Sequence, residues 1–279
     1  MPKARCNGIE IEYEVLGDEQ AEPMLLVMGF AVQLIAWPDG FCRMLVERGY
    51  RVIRFDNRDV GLSSKVPASY SLDDLAADTA GLLDALELAS AHVVGASMGG
   101  FIAQLLAIHH PSRVRSLCSI MSSTGDRSVG QPRPEIVPML MVSPPAERSS
   151  YVDARLAIAR RLASPGFPFD EQRSRDVIGL AFDRAYYPAG AQRQLAAVLA
   201  ARDRTRALGE LRLPTLVIHG AEDPLVHRSG GEATARAIPG AELLVIPGMG
   251  HDLPKPLWAT LADAIVANAR RRLDGAAGA

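Results

Sequence analysis

The chain has 279 residues, 48% of them hydrophobic and 22% charged, with a formal net charge of −2 at pH 7. That suffices for one large domain, or one domain with a sizeable insertion, and gives no broad basic field for nucleic acid or anionic lipid. Cys6, Cys42 and Cys118 are scattered, so they read as buried thiols rather than a disulfide framework or a zinc site. The polar opening PKARCNGIEIEYE has no apolar signal core, and no window approaches the ~18 apolar residues of a membrane span. A soluble cytoplasmic protein is the expectation.

Short apolar runs recur along the chain: MLLVMG (24–29), RVIRFD (51–56), AHVVGA (91–96), VRSLCSIM (114–121), TLVIHG (215–220) and ELLVIPG (242–248). Runs without polar alternation suit strands covered on both faces, as in a parallel sheet. Helical patterns lie between them. SLDDLAADTAGLLDALEL opens on Ser71 as N-cap, with Asp74 at the third helical position. FIAQLLAIHH, 101–110, stops before Pro111. Strand and helix in alternation predict an α/β fold, a doubly wound and mostly parallel sheet. The rhythm breaks over 125–213, where prolines cluster before helical stretches such as YVDARLAIARRLAS. This reads as a helical cap inserted over one edge of a core made of 1–124 and 214–279. The tail LDGAAGA is expected to fray.

The stretch VVGASMGG places Gly95, Ser97 and Gly99 between a strand pattern and a helix pattern. In a tight strand-to-helix turn the serine takes a strained backbone, and side chains two positions either side would collide with it. The Ser97 hydroxyl is then exposed above the carboxyl end of the sheet, where such sheets bind ligands. The Met98 amide lies at the helix N-terminus, suited to a developing oxyanion. The plain reading of the same glycines is close packing alone.

A serine hydroxyl needs a base, and the base an orienting carboxylate. His92, His109, His110 and His219 have structural explanations, and His227 reads as a surface residue. His251 lies in PGMGHDLP directly after the last strand run, at the same end of the sheet as Ser97. Asp223 in HGAEDPLV follows the preceding run, and its neighbour Glu222 is the alternative. The chain order serine, aspartate, histidine fits a hydrolase sheet. Gly29 permits a turn that aims the Phe30 amide at the serine, unless it is a simple loop glycine. The cluster Asp56, Arg58, Asp59 in FDNRDVGLSS reads as a salt-bridged scaffold without a catalytic part. Met139, Leu140 and Met141 in the insertion are either adaptable pocket walls or cap core; Trp37 and Trp258 read as packing.

VVGASMGG, FDNRDVGLS, HGAEDPLV and GMGHDLP together resemble the serine hydrolase branch of the α/β-hydrolase fold superfamily. LLVMGFAVQLIAWPDGF with VIRFDNRDVGLSS resembles more closely the aclacinomycin methylesterase-like esterases, with Met28 where a histidine is usual before the oxyanion-loop glycine. The resemblance implies Ser97 as nucleophile, Asp223 and His251 as its relay, and the amides of Phe30 and Met98 as oxyanion hole. The expected chemistry is ester hydrolysis through an acyl-enzyme, with no metal or organic cofactor, on a small and hydrophobic ester or lactone. Lactonase action, cofactor-free perhydrolysis and carbon–carbon bond hydrolysis use the same triad, and a ligand-holding receptor is the rival from another class. Serine rather than aspartate at position 97 disfavours dehalogenase and epoxide hydrolase chemistry.

Overall fold

The apolar runs become strands because helices cover both of their faces. The computed structural model describes residues 2–271. The tail expected to fray and the side chain of Leu140 lie outside the described residues. Eight strands form one sheet among the described residues: β1 Lys3–Cys6, β2 Ile9–Leu16, β3 Glu22–Val27, β4 Tyr50–Phe55, β5 Ala91–Ala96, β6 Val114–Ile120, β7 Thr215–Gly220 and β8 Glu242–Ile246. Their order is β1-β2-β4-β3-β5-β6-β7-β8. β2 runs antiparallel to β1 and β4, and all other pairs are parallel. The sheet is thus the mostly parallel, doubly wound one expected, extended by a hairpin that the apolar pattern did not reveal. Asn7 and Gly8, at φ 48° and 76°, make its two-residue turn.

Alternate residues of each inner strand enter separate cores. Leu25, Val27 and Val93 meet helices α2 (Leu72–Ala85) and α3 (Met98–His109), whereas Met24, Leu26 and Val94 meet α1 (Asp39–Glu47) and α10 (Trp258–Arg270). Complete burial of each such aliphatic side chain stabilises by roughly 1.5–3 kcal/mol. Ser71 caps α2 as expected: the Asp74 amide donates to its Oγ at 3.2 Å, and its own amide donates to the Asp74 carboxylate at 2.7 Å.

Between β6 and β7 lie helices α4 (Val137–Met141), α5 (Arg148–Leu162), α6 (Glu171–Arg184), α7 (Pro188–Leu199) and α8 (Thr205–Leu208), and α9 (Ser229–Ala237) joins β7 to β8. α5 and α6 pack as an antiparallel pair laced on its outside by Arg148–Asp183 at 2.7 Å and Arg175–Asp153 at 2.8 Å. This segment bridges the carboxyl ends of several strands, because the loops there supply buried carboxylates that its arginines can meet. Asp56, just after β4, accepts from the amides of Leu34 at 2.7 Å and Leu62 at 2.9 Å and pairs with Arg184 at 2.8 Å. Asp59 pairs with Arg193 at 2.7 Å, and Arg58 grips Asp78 with two bonds of 2.5 and 2.6 Å. Among the described residues no helix is long and apolar enough to cross a membrane.

The Asp56 side chain is 0% exposed and Arg184 12%, so losing the arginine strands a buried charge. Arg184→Met is expected to destabilise by about 3 kcal/mol. Arg148→Met, which breaks a half-exposed pair, is expected to leave stability nearly unmoved. Urea midpoints of the two variants check the contrast.

Candidate active site

β5 ends at Ala96 and α3 begins at Met98, so Ser97 alone makes the turn between them. It does so at φ 56° and ψ −121°, a conformation that costs a non-glycine residue on the order of 1–3 kcal/mol. Its amide donates to Ile120 O at 2.9 Å, and its carbonyl accepts from the Gly100 amide at 2.8 Å and Ser122 Oγ at 2.9 Å. The flanking glycines are forced by close approach. A methyl group on Gly95 would lie 2.1 Å from the Gly99 carbonyl oxygen, and one on Gly99 would lie 2.1 Å from that of Val27.

The loops after β7 and β8 bring the other two residues to this turn. His251 Nε2 lies 3.0 Å from Ser97 Oγ, and His251 Nδ1 lies 2.7 Å from Asp223 Oδ2. An ionised Asp223 can only accept, so Nδ1 carries the ring proton and Nε2 is free to accept from the serine hydroxyl. Burial works against the Asp223 charge. Electrostatic attraction from His251 and hydrogen bonds from His219, His251 and the Val226 amide outweigh burial and hold the carboxyl well below the usual carboxylate range. Its other oxygen accepts from the amides of Leu225 at 2.8 Å and Val226 at 2.9 Å.

Before α1 the chain turns through Gly29 and Phe30 to Ala31, at φ 55°. Phe30 lines the same cavity as Ser97 and His251. Among the described residues, neither the Phe30 amide nor the Met98 amide has a protein acceptor. The Ala31 amide donates instead to Gln194 Oε1 at 2.7 Å, and Gln194 Nε2 donates to the Arg58 carbonyl at 3.1 Å. Gln194 is 0% exposed and comes from α7, 163 positions along the chain. The histidine loop is held from the insertion as well: the His251 amide donates to Leu162 O at 2.7 Å and the Gly250 amide to Ser164 Oγ at 2.8 Å. Ser164 also donates to Asp252, whose carboxyl is pushed up by burial. Sequence reasoning missed these residues because partners so far apart leave no local pattern.

A cavity of about 450 Å³ opens above Ser97, walled by the β3 loop, by α5 and α6, and by the segment around His251. Met139 lines it. Met141 departs from the expected wall: it is 64% exposed and turned to solvent, since the five-residue α4 can aim only one side at the space below. Trp37 is fully buried against Phe41 and Trp258 anchors α10, with its indole donating to Leu253 O at 2.8 Å. Glu222, beside Asp223, is exposed, and four other histidines have partners away from Ser97: His92 with Ser116, His109 with Asp73, His219 with the Val226 carbonyl and His227 with Ser229.

The sequence pattern of the alpha/beta hydrolase fold matches residues 22–254, most of the chain. The chain belongs to that family. Rhodomycin D methylesterase DnrP of Streptomyces peucetius is 33% identical to this hydrolase-fold chain, over 97% of the chain and 99% of the relative. 3-Oxoadipate enol-lactonase 2 of Acinetobacter baylyi is 28% identical over 81% of each. Among solved structures, a hydrolase from Pseudomonas aeruginosa PA01 superposes with a TM-score of 0.75 at 27% identity, covering 96% of this chain and 97% of its own.

The depressed Asp223 pKa has a thermodynamic consequence. A carboxyl whose folded pKa lies below its unfolded value of about 3.9 contributes stability that is present above that value and lost as pH falls towards the folded one. Wild type is therefore expected to lose its advantage over Asp223→Asn as pH drops from about 5 into the acid range. Urea unfolding of both proteins across that range reads the difference, and a constant gap would remove the basis for a charged Asp223.

Proposed function

We propose that this protein is a carboxylic ester hydrolase in which Ser97 is the nucleophile, His251 the general base and Asp223 its orienting carboxylate. One chain of hydrogen bonds carries the reading: Ser97 Oγ to His251 Nε2 at 3.0 Å, then His251 Nδ1 to Asp223 at 2.7 Å. Ser97 Oγ attacks the ester carbonyl as Nε2 takes its proton, and the imidazolium is steadied by the ionised Asp223. The oxyanion of the tetrahedral intermediate accepts from the amides of Phe30 and Met98, which are not committed to protein acceptors. Nε2 then protonates the departing alkoxide, the C–O bond breaks and the acyl-enzyme remains. Water, deprotonated by His251, attacks the acyl carbonyl and restores Ser97 with release of the acid. The walls contributed by Phe30, Ile158, Val177 and Met139 suit a small ester with an apolar body. The similarity to a methylesterase over nearly the full chain supports an ester. A lactone, the same bond closed into a ring, is the second reading, favoured by the similarity to an enol-lactonase.

Turnover of short p-nitrophenyl esters tests the nucleophile: Ser97→Ala is expected to lower kcat by up to roughly 10⁶-fold, and an unimpaired variant refutes the mechanism. Gln194 gives a second test as a positioning residue, because it holds the loop that carries the Phe30 amide. Gln194→Met keeps the bulk and removes both bonds. It should cut kcat by roughly 10- to 100-fold with little change in KM, since a small misplacement of a transition-state donor is felt in the chemical step. A matching loss of affinity for a trifluoromethyl ketone, with folding intact by circular dichroism, separates this effect from general loosening.

A further inference from the structure

Two arginines face the cavity without a carboxylate partner. Arg155 on α5 and Arg173 on α6 both line the space above Ser97, and each is half-buried. Four of the other arginines of these helices are paired, Arg148 with Asp183, Arg175 with Asp153, Arg160 with Glu171 and Arg184 with Asp56, and Arg161, which has no ion pair among the described residues, is exposed to solvent away from the cavity lining. Among the described residues no carboxylate lies within ion-pair distance of Arg155 or Arg173.

The outer ion pairs also fix the relative height of the two. With 148 opposite 183 and 160 opposite 171, Arg155 is level with Asp176, three residues or about 4.5 Å of helical rise from Arg173. Both arginines interrupt apolar stripes. On α5 the cavity face reads Tyr151, Arg155, Ile158, Leu162 at helical spacing. Arg173 lies against the Trp258 ring, 5.3 Å from its centroid. Burial lowers its pKa despite the opposing charges of Asp170 and Asp39, as befits a cation short of hydrogen-bond acceptors.

Three carboxylates also belong to the wall, and Asp170 offsets part of the Arg173 charge without forming an ion pair with it. Asp59 is bound to Arg193, Asp252 accepts from Ser164, and Asp170 accepts from the Arg173 amide at the start of α6. Lys255 adds a further, exposed positive group.

We infer that Arg155 and Arg173 form an anion subsite that receives a free carboxylate carried by the apolar body of the ester. This rests on the reading of Ser97 as nucleophile and narrows it: the substrate class is a half-ester, or a lactone bearing an acid group. The two residues lie within one helical turn of each other in height, and each guanidinium fork matches the paired oxygens of a carboxylate.

Monomethyl and dimethyl suberate, which differ only in the free carboxylate, serve as the probe pair. The wild type is expected to favour the monoanion at least 10-fold in kcat/KM at low ionic strength, a preference carried in KM. In the Arg155→Met/Arg173→Met double variant the ratio is expected to fall towards one, and salt should erode it in the wild type only. A wild type that favours the diester, or a ratio unchanged in the double variant, overturns the subsite. Calorimetric titration of monomethyl suberate into Ser97→Ala protein, with and without the two arginines, judges the subsite apart from turnover. Tenfold weaker binding without them supports it, and equal or absent binding sinks it even where ester hydrolysis stands. Should the double variant not fold, Arg155→Gln and Arg173→Gln singly give the same readings.

Discussion

The backbone of Ser97 is the constraint on which the site depends. A non-glycine residue at φ 56° and ψ −121° persists only where its surroundings over-determine it. Here they do. β5 is the central strand of the sheet, hydrogen-bonded to β3 on one side and β6 on the other, and all six of its residues are buried. α3 cannot shift away either, since Ile102, Ala103 and Leu106 are locked in the core beneath it. The strain is offset by packing elsewhere, and the result is a hydroxyl that points out of the sheet while the chain reverses. The absence of side chains at Gly95 and Gly99 follows from the same geometry, because the turn brings backbone within 2.1 Å of where their methyl groups would stand.

A second layer of control comes from the insertion between β6 and β7. Its residues hold the loops on either side of Ser97: Gln194 the turn after Phe30, Leu162 and Ser164 the turn before and at His251. Most of these links are single hydrogen bonds worth about 1 kcal/mol net each, too little to account for stability. Their value lies in direction. A donor on a loop is useful to an oxyanion only when the loop is still, and a buried amide oxygen fixed from both ends keeps it so. The buried pairs Asp56–Arg184 and Asp59–Arg193 act at the same seam. Such pairs contribute modestly to stability, because desolvation consumes most of their attraction, yet they tolerate only one seating of the insertion on the core.

These two layers differ in how far they were legible in the sequence. The turn at Ser97 is local: three positions separate Gly95 from Gly99, and the physics that requires them acts over the same span. The placement of Asp223 and His251 near Ser97 needed only the strand rhythm, since loops that follow parallel strands share one end of a sheet. FDNRDVG read correctly as a scaffold because dense opposite charge in a turn rarely stays unpaired, although its partners Arg184 and Arg193 lie more than a hundred positions away. The N-terminal hairpin escaped notice because IEIEYEVL alternates with glutamates, two of which, Glu10 and Glu12, use their amides to bind Ser64 and Ser63. Asn7–Gly8 was its signal. For Gln194 no signal existed: a glutamine within an alanine-rich helix gives no hint of the loop it meets 163 residues upstream.

Division of labour follows from this difference. The atoms proposed to make and break bonds sit on a sheet whose register, packing and turn chemistry are short-range and mutually reinforcing, so they tolerate few substitutions. The walls that would meet the rest of a substrate come largely from α5 and α6, a pair aligned by exposed ion pairs and packed through the ring cluster of Tyr151, Phe182 and Tyr186. Side chains on the inner stripe of such a pair can change without disturbing the register that the outer pairs set. Substrate choice can therefore move, one helical position at a time, while Ser97 and its partners stay where the sheet holds them. One fold is in this way similar over most of its length both to a methylesterase and to an enol-lactonase.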